Sequence, residues 1–353
     1  MYITLEEYNK YFNGKYKFYF CDCEVRRKEL FSFILEPLYT TEQYEEEEKN
    51  NWDPDLRPKS IVTFNRTPDK EKMWSGGVKY NWNGMVLGVA QKPLNQSITI
   101  EKYSTYPSLD HKSYIIGSGP AYLEILAKPY EGLENTADGK VIRGHVAKLK
   151  TIDGYLYLCG GGRTISKRVD KGKWKTLNDL IPREYGEDGG FSDIDGFGEN
   201  DIYAVGGRGD VLHFNGKECK QINFPSNKEL KSVCCAGDGN VYINGFDGIF
   251  VGRDDKWKNI GRVYDPEKIS DIIWYEDMVW MTNGYRIWNI KNGVMIRDAI
   301  VPKLIEKSTN LSISANDGIL LIAGMRGAVF KEDGKWQTLV DFDEMKSFTC
   351  KEV

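Results

Sequence analysis

Short apolar or alternating segments, separated by residues that favour turns, dominate the central part of the chain. Four of them lie between residues 191 and 222, at 191–196, 201–205, 210–214 and 218–222, with Gly, Asn and Asp between them. Brief alternation bounded by turn residues is typical of half-buried β-strands. The pattern therefore predicts a four-stranded antiparallel meander over residues 191–222.

The same pattern recurs at a nearly constant spacing on both sides of this stretch. Aligning the second strand of each unit matches residues 155–159, 201–205, 240–244, 278–282 and 319–323. The central residues of these segments are 46, 39, 38 and 41 positions apart. A four-stranded unit that repeats about every 40 residues is the signature of a β-propeller blade. Trp174, Trp257 and Trp336 occupy equivalent places in the outer strands, where we expect them to pack between blades.

We predict an all-β fold, a single β-propeller domain spanning residues 1–353 with seven four-stranded blades, six or eight being the alternatives. Residues 145–344 hold five clear blades, and residues 1–140 hold divergent ones. In the divergent part we expect strands at 15–21, 30–35, 60–64, 85–90, 97–102, 113–116 and 122–127. Residues 3–13 are predicted to form a short helix, and the polar, acidic stretch 41–59 a solvated, partly mobile loop.

The end of the chain predicts how the ring closes. Residues 345–350 resemble residues 230–235, which form the innermost strand of their unit. Residues 345–353 are therefore expected to be a closing strand that shares one blade with the N-terminal strands. Such closure removes exposed sheet edges.

The two faces of the predicted ring differ in the length of their connections. Because successive strands of a blade alternate in direction, the first-to-second and third-to-fourth turns lie on one face, and these turns are short and rich in Gly, Asn and Asp. The second-to-third and blade-to-blade connections lie on the other face, and they are long and varied. We call the latter the long-loop face and expect function there, because elaborated loops on a rigid scaffold usually carry it.

Acidic residues are concentrated in two blocks. Residues 41–55 contain seven acids and one Lys, and residues 184–201 contain seven acids and no basic residue. Concentrated charge of one sign steers and selects partners. We expect partner contacts from Glu45, Glu46, Glu47, Glu48, Glu184, Glu187, Asp188, Asp193, Asp195 and Glu199. For Asp193 and Asp195, which alternate along a predicted strand, solvated or channel-lining carboxylates are the alternative to a Ca²⁺ site.

Arginines recur in register on the long-loop face, at Arg163, Arg208, Arg286 and Arg326. They predict either a positive ring at the channel mouth or a set of braces within the scaffold. Repetition favours the scaffold, because a binding site usually breaks a repeat.

The sequence offers no recognisable catalytic or cofactor motif. The three histidines, His111, His145 and His213, lack a second ligand at metal spacing, so we expect no metal and no cofactor. Seven cysteines, mostly within predicted strands, fit reduced thiols in the cytoplasm. No signal peptide or long apolar run is present, so neither export nor membrane insertion is expected.

The blades DIYAVGGRGDVLHFNGKECKQI and YLYLCGGGRTISKRVDKGKWKTL, with FSDIDGFGENDIY leading in, resemble a group of bacterial β-propeller proteins. Some relatives of this type are similar to immunity proteins of contact-dependent growth inhibition, whose partners include ribonuclease toxins of the EndoU type. The resemblance implies a monomeric, non-enzymatic cytoplasmic protein that blocks the basic active cleft of a toxin domain with acidic loops. It implies no direct contact with nucleic acid or membrane. The alternatives are a hydrolase or lyase acting at the channel mouth, or a scaffold propeller.

Overall fold

The computed structural model describes residues 17–50, 57–80, 82, 84–103, 113–116, 142–170, 173–181, 189–261, 271–296 and 300–345. These residues form six four-stranded antiparallel sheets and one three-stranded sheet. We number the four-stranded sheets blades 1 to 6 in chain order. In each of them the strands follow one another in space as in sequence, which is the meander that the sequence predicted.

The strands of the N-terminal half are as follows. Blade 1 consists of β1 (Lys17–Arg27), β2 (Leu30–Leu38), β3 (Lys59–Asn65) and β4 (Trp74–Lys79). The three-stranded sheet consists of β5 (Met85–Ala90), β6 (Gln96–Glu101) and β7 (Ser113–Ile116). Blade 2 consists of β8 (Val146–Ile152), β9 (Tyr155–Gly160), β10 (Thr164–Asp170) and β11 (Lys173–Thr176).

The remaining blades follow with shorter connections. Blade 3 consists of β12 (Phe191–Gly198), β13 (Asp201–Gly206), β14 (Asp210–Phe214) and β15 (Cys219–Gln221). Blade 4 consists of β16 (Leu230–Cys235), β17 (Val241–Gly245), β18 (Gly248–Arg253) and β19 (Lys256–Gly261). Blade 5 consists of β20 (Asp271–Tyr275), β21 (Met278–Thr282), β22 (Ile287–Lys291) and β23 (Val294–Ile296). Blade 6 consists of β24 (Ser312–Asn316), β25 (Ile319–Gly324), β26 (Gly327–Glu332) and β27 (Lys335–Asp341).

Helical structure is confined to connections in the described ranges. Two α-helices, α1 (Thr41–Lys49) and α2 (Lys303–Glu306), and two 3₁₀ turns, Lys70–Lys72 and Asn178–Leu180, interrupt the strands. None of the helices in the described part of the chain combines the length and apolar character that crossing a bilayer requires. The predicted helix at 3–13 and the predicted strand at 122–127 lie outside the described residues.

The prediction of an all-β propeller is confirmed, whereas that of seven four-stranded blades is wrong for the described residues. The five clear blades of residues 145–344 are blades 2 to 6. Blade 1 draws all its strands from residues 17–79, because β3 and β4 complete it without the C-terminus. The three-stranded sheet stands between blades 1 and 2, with β5 in contact with both β1 and β8.

Apolar side chains form clusters between neighbouring blades, so each blade is held by the next. Trp257 packs against a cluster that joins blades 3 and 4, and Trp336 packs against one that joins blades 5 and 6. Trp174 packs at the junction of blade 2 with the three-stranded sheet. The expected packing of these tryptophans between blades is confirmed. Each such contact contributes about 2 kcal/mol of apolar burial.

The two ends of the described ring meet at the junction of blades 6 and 1. One buried cluster contains side chains from both blades, including Phe20 and Phe31 from blade 1 and Phe330 from blade 6. The Phe31 and Phe330 rings are 5.4 Å apart. The predicted closing strand at 345–353 lies almost wholly outside the described residues, so the sharing of a blade stays a prediction.

Candidate functional site

The innermost strands carry polar residues at alternating positions that face the central channel and the neighbouring blade. Equivalent pairs occur on five strands and are Asp22 with Glu24, Lys148 with Lys150, Asp193 with Asp195, Ser232 with Cys234, and Ser312 with Ser314. Each innermost strand has one edge that no strand of its own sheet covers, and its N–H groups there need acceptors. Side chains of the preceding blade provide such acceptors for β16 and β1.

The hydrogen bonds follow the same register at two junctions. Between blades 3 and 4, Asp193 Oδ2 accepts from Val233 N at 2.9 Å and Asp195 Oδ2 accepts from Cys235 N at 2.9 Å. Between blades 6 and 1, Ser312 Oγ accepts from Cys23 N at 3.3 Å and Ser314 Oγ accepts from Val25 N at 3.1 Å. The polar lining of the channel is therefore part of what joins the blades.

Charged groups also meet across the channel. Lys148 Nζ lies 2.9 Å from Asp271 Oδ1, which joins β8 to the non-adjacent strand β20. Burial alone would lower the pKa of Lys148, but Asp271, Asp193 and Asp22 together raise it above its ordinary value. Burial also raises the pKa of Asp193 to about 6, although Lys150 and Lys148 oppose that shift.

Burial also perturbs the channel carboxylates of blade 1. Burial, with the nearby Asp22 carboxylate as the next cause, raises the pKa of Glu24 to about 7. Burial likewise raises the pKa of Asp22 itself. In the described part of the chain, no three His, Cys, Asp or Glu side chains are placed to hold a metal ion. The described carboxylates of the innermost strands bind backbone N–H groups, serine hydroxyls and Lys148.

The acidic residues predicted to contact a partner fall into separate environments. Asp193 and Asp195 are 2% and 9% exposed and lie on β12, the innermost strand of blade 3. Glu199 lies in the turn between β12 and β13, on the face with short turns, and its Oε2 is 2.7 Å from Lys167 Nζ. Glu184, Glu187 and Asp188 lie outside the described residues.

The other acidic block forms a helix rather than the expected loop. Helix α1 lies in the connection between β2 and β3, which puts it on the long-loop face. Glu45, Glu46 and Glu48 are exposed on it, and Glu47 belongs to the same helix. This is the one predicted acidic block for which the structure describes surface-exposed carboxylates on that face.

Local signals explain why a run of glutamates becomes helical here. Thr40 is the N-cap: Gln43 N donates to Thr40 Oγ1 at 3.3 Å, and Thr40 N donates to Gln43 Oε1 at 2.8 Å. This is a capping box. The rings of Tyr39 and Tyr44, centroids 5.7 Å apart, form a staple, and Arg57 stacks on both rings. The expectation of a loop overlooked the T-x-x-Q signal at residues 40–43.

Two of the four arginines brace the scaffold. Arg163 is 5% exposed, and its Nη2 donates to Asp210 Oδ1 at 2.9 Å, which ties blade 2 to blade 3. Arg326 Nε donates to Lys307 O at 2.8 Å, and its Nη1 donates to Asp343 Oδ2 at 2.6 Å. Arg208 and Arg286 are exposed. The four side chains therefore do not form a uniform ring at the channel mouth.

Two cavities lie at opposite ends of the channel. The larger, about 660 Å³, opens on the long-loop face and is lined by residues of blades 2, 3 and 4, including Arg208. The smaller, about 220 Å³, lies on the face with short turns and contains Glu24, Lys148, Lys150 and Asp271. Sequence reasoning missed these channel residues, although the alternating triplets D-C-E, K-L-K, D-I-D and S-I-S occur at one register of the repeat.

Comparison with known proteins confirms the predicted resemblance to immunity proteins. No protein-family model matches the chain. Over 202 residues the chain is 29% identical to Immune protein Tsi7 of Pseudomonas aeruginosa, a match that covers 56% of this chain and 65% of that protein. The chain therefore spans just under two thirds of the length of the curated relative that it matches.

Solved structures agree with the fold. The WD40 β-propeller domain of Doa1 superposes with a TM-score of 0.58 at 11% identity, over 90% of this chain and 94% of that one. The WD40 repeats of RRP9 superpose with a TM-score of 0.55 at 11% identity, over 93% and 92% of the two chains. At such low identity this likeness supports the propeller architecture alone.

Proposed function

We propose that the chain is an immunity protein, a non-enzymatic binding protein that neutralises a bacterial toxin by occupying its functional surface. The observation that carries the proposal is the 29% identity to an immune protein over 202 residues. That relative favours binding over the hydrolase or lyase alternative. We extend the proposal to a monomeric, cytoplasmic protein whose partner is a basic toxin domain, a ribonuclease being one candidate.

The structural support for such a partner comes from α1. Its exposed carboxylates stand on the long-loop face, where connections vary in length and sequence. A toxin that acts on phosphate-bearing substrates has a basic cleft, and clustered carboxylates accelerate association with such a surface by long-range attraction. The attraction is screened over about 10 Å at 0.1 M salt, so its contribution is largest at low ionic strength.

Because Asp193 and Asp195 are buried, we remove both from the proposed contact residues. Their oxygens bind the backbone of β16, so a partner docking from outside would meet neither of them. Glu199 stands on the opposite face. We therefore assign the acidic contact to Glu45, Glu46, Glu47 and Glu48, with Glu184, Glu187 and Asp188 as further candidates from the sequence.

Co-expression tests the proposed function directly. Cells that produce the toxin domain encoded beside the gene should survive when this chain is present, and the two proteins should co-purify. Survival without co-purification would indicate an indirect effect. Neither survival nor binding would end the immunity proposal.

Charge reversal tests the proposed surface. Glu45→Lys with Glu48→Lys should lower the association rate with the toxin by about tenfold at low salt, with a smaller loss at high salt. The matched control, Glu29→Lys with Glu218→Lys, reverses two exposed glutamates on the face with short turns. Equal effects of the two double variants would move the interface away from α1 while leaving the immunity proposal intact.

A further inference from the structure

Three residues that line the larger cavity, Gly189, Gly190 and Gly207, carry no side chain. Gly190 also lets the start of β12 lie close to the loop that follows β9, because a Cβ there would lie 2.8 Å from Gly161 Cα and 2.9 Å from Gly160 O. Any larger side chain at this position would push the two blades apart. Close backbone packing therefore shapes the cavity, and a small number of side chains determine its chemistry.

Those side chains are predominantly cationic. Arg208, Lys228 and Lys231 line the cavity with one carboxylate, Glu229, and with His145. Glu229 forms an ion pair with Lys231, and its carbonyl accepts from Phe246 N at 2.9 Å. Among the described residues that line the cavity, three cations and one carboxylate leave an excess of two positive charges. This sign is opposite to that of α1 on the same face.

We propose that this cavity is an anion-binding site, accepting a small ligand or group that carries a phosphate or paired carboxylates. Arg208 and Lys228 are exposed, and a guanidinium can bind two oxygens of one anion whereas an ammonium binds as a point charge. Glu229 holds Lys231 in place from within the wall. The inference goes beyond the proposed neutralising function and does not depend on it, because it requires no toxin.

Its location also makes the site relevant to a bound partner. The cavity opens on the long-loop face, so a group entering it comes either from free solution or from a protein seated there. A carboxylate side chain of a partner and a free phosphate ester present the same oxygen acceptors. Competition between inorganic phosphate and the toxin partner distinguishes the two sources.

Titration of the full chain with inorganic phosphate and with succinate tests the site. Binding is measured calorimetrically and as an increase in thermal midpoint, because a ligand that binds only the folded state stabilises it. Arg208→Gln with Lys228→Gln should weaken binding by at least about tenfold, the effect of losing charged hydrogen bonds. Both residues are exposed, and the midpoint of the double variant without ligand is the reference for its own titration.

The matched control removes two positive charges elsewhere. Lys256→Gln with Lys335→Gln alters exposed lysines of the outer strands β19 and β27 and should leave affinity within about twofold of the wild type. Failure of both anions to bind the wild type, or equal losses in the two double variants, would overturn the proposal. Phosphate displaced by the toxin partner would identify a partner group as occupant. Phosphate bound unchanged in the complex would identify a free ligand.

Discussion

Glu24 stands on β1 where burial and the Asp22 carboxylate both disfavour its ionised form. Ser314 Oγ donates to Glu24 Oε2 at 2.7 Å, so the side chain is held between two blades. Its pKa is raised to about 7, above the value near 4.5 that an unfolded chain gives. Between about pH 4.5 and 7, Glu24 is therefore largely protonated in the folded protein and largely ionised in the unfolded chain. This difference makes stability depend on pH.

The expected dependence has a definite sign. The stabilisation from protonated Glu24 is complete below about pH 4.5 and is lost as the pH rises through about 7, a change on the order of 3 kcal/mol. Glu24→Gln keeps an acceptor for Ser314 but removes the titration. The free energy of unfolding of the variant, measured with urea from pH 4.5 to 8, should increase relative to that of the wild type as the pH rises.

The exposed Glu45→Gln on α1 is the control, and its stability should follow the wild-type curve. Parallel curves for Glu24→Gln and the wild type would contradict the assignment. They would place the titration on another channel carboxyl group whose pKa is raised by burial, namely Asp22, Asp193 or Asp195.

At the scale of the element, the innermost strands need side chains from the preceding blade to satisfy their exposed edges. Asp193 and Asp195 both do this for β16. Asp193 Oδ2 accepts from Val233 N, and its Oδ1 accepts from the neighbouring Ile194 N at 2.9 Å. Asp193→Ala would leave the buried Val233 N–H without this acceptor and remove a counter-charge from Lys148 and Lys150. We expect a loss of about 3 kcal/mol in the free energy of unfolding.

Asp193→Asn separates the contribution of the hydrogen bond to Val233 N from that of the negative charge. The amide oxygen still accepts from Val233 N, so the loss should be about half that of the alanine variant. Denaturant unfolding at pH 8, where the wild-type carboxylate is ionised, gives the comparison. Equal losses for the two variants would mean that charge, rather than the strand-edge hydrogen bond, dominates at this junction.

Element prediction succeeded where the repeat was explicit and failed where a local signal competed with composition. The second strands aligned from the sequence correspond to β9, β13, β17, β21 and β25. The glutamate-rich stretch was expected to be a loop because composition was weighed above the capping box at Thr40 and the stacked Tyr39 and Tyr44. The ion pair across the channel could not be predicted from the sequence, because Lys148 and Asp271 are 123 positions apart and meet only when the ring closes.

At the scale of the whole molecule, one face combines charges of both signs. Helix α1 presents carboxylates on the long-loop face, and the larger cavity opens on that face with an excess of cations. A surface of mixed sign selects a partner by orientation as well as by attraction, since each patch repels what the other binds. The smaller cavity at the opposite end is crossed by the Lys148–Asp271 ion pair.

The junction of blades 6 and 1 determines whether the ring unfolds as one unit. Phe31 is fully buried there, with its ring centroid 5.7 Å from that of Phe64 and 5.4 Å from that of Phe330. Phe31→Ala removes packing inside blade 1 and across the junction and should cost about 3–5 kcal/mol. In a closed ring every blade is supported on both sides, so opening one junction exposes an edge and an apolar face on each side of it.

Native-state hydrogen exchange in low denaturant measures which blades lose amide protection in the Phe31→Ala variant. If the ring is one cooperative unit, the slowest amides of β17, in blade 4, should lose as much protection as those of β2, because both exchange through the same global opening. Phe250→Ala, a matched truncation of a buried ring in blade 4, should lower protection in β2 reciprocally. Loss confined to the mutated blade and its neighbours would instead mean that blades open separately. In that case the contacts of Ser312 and Ser314 with β1 would join two ends of the ring without coupling the stability of distant blades.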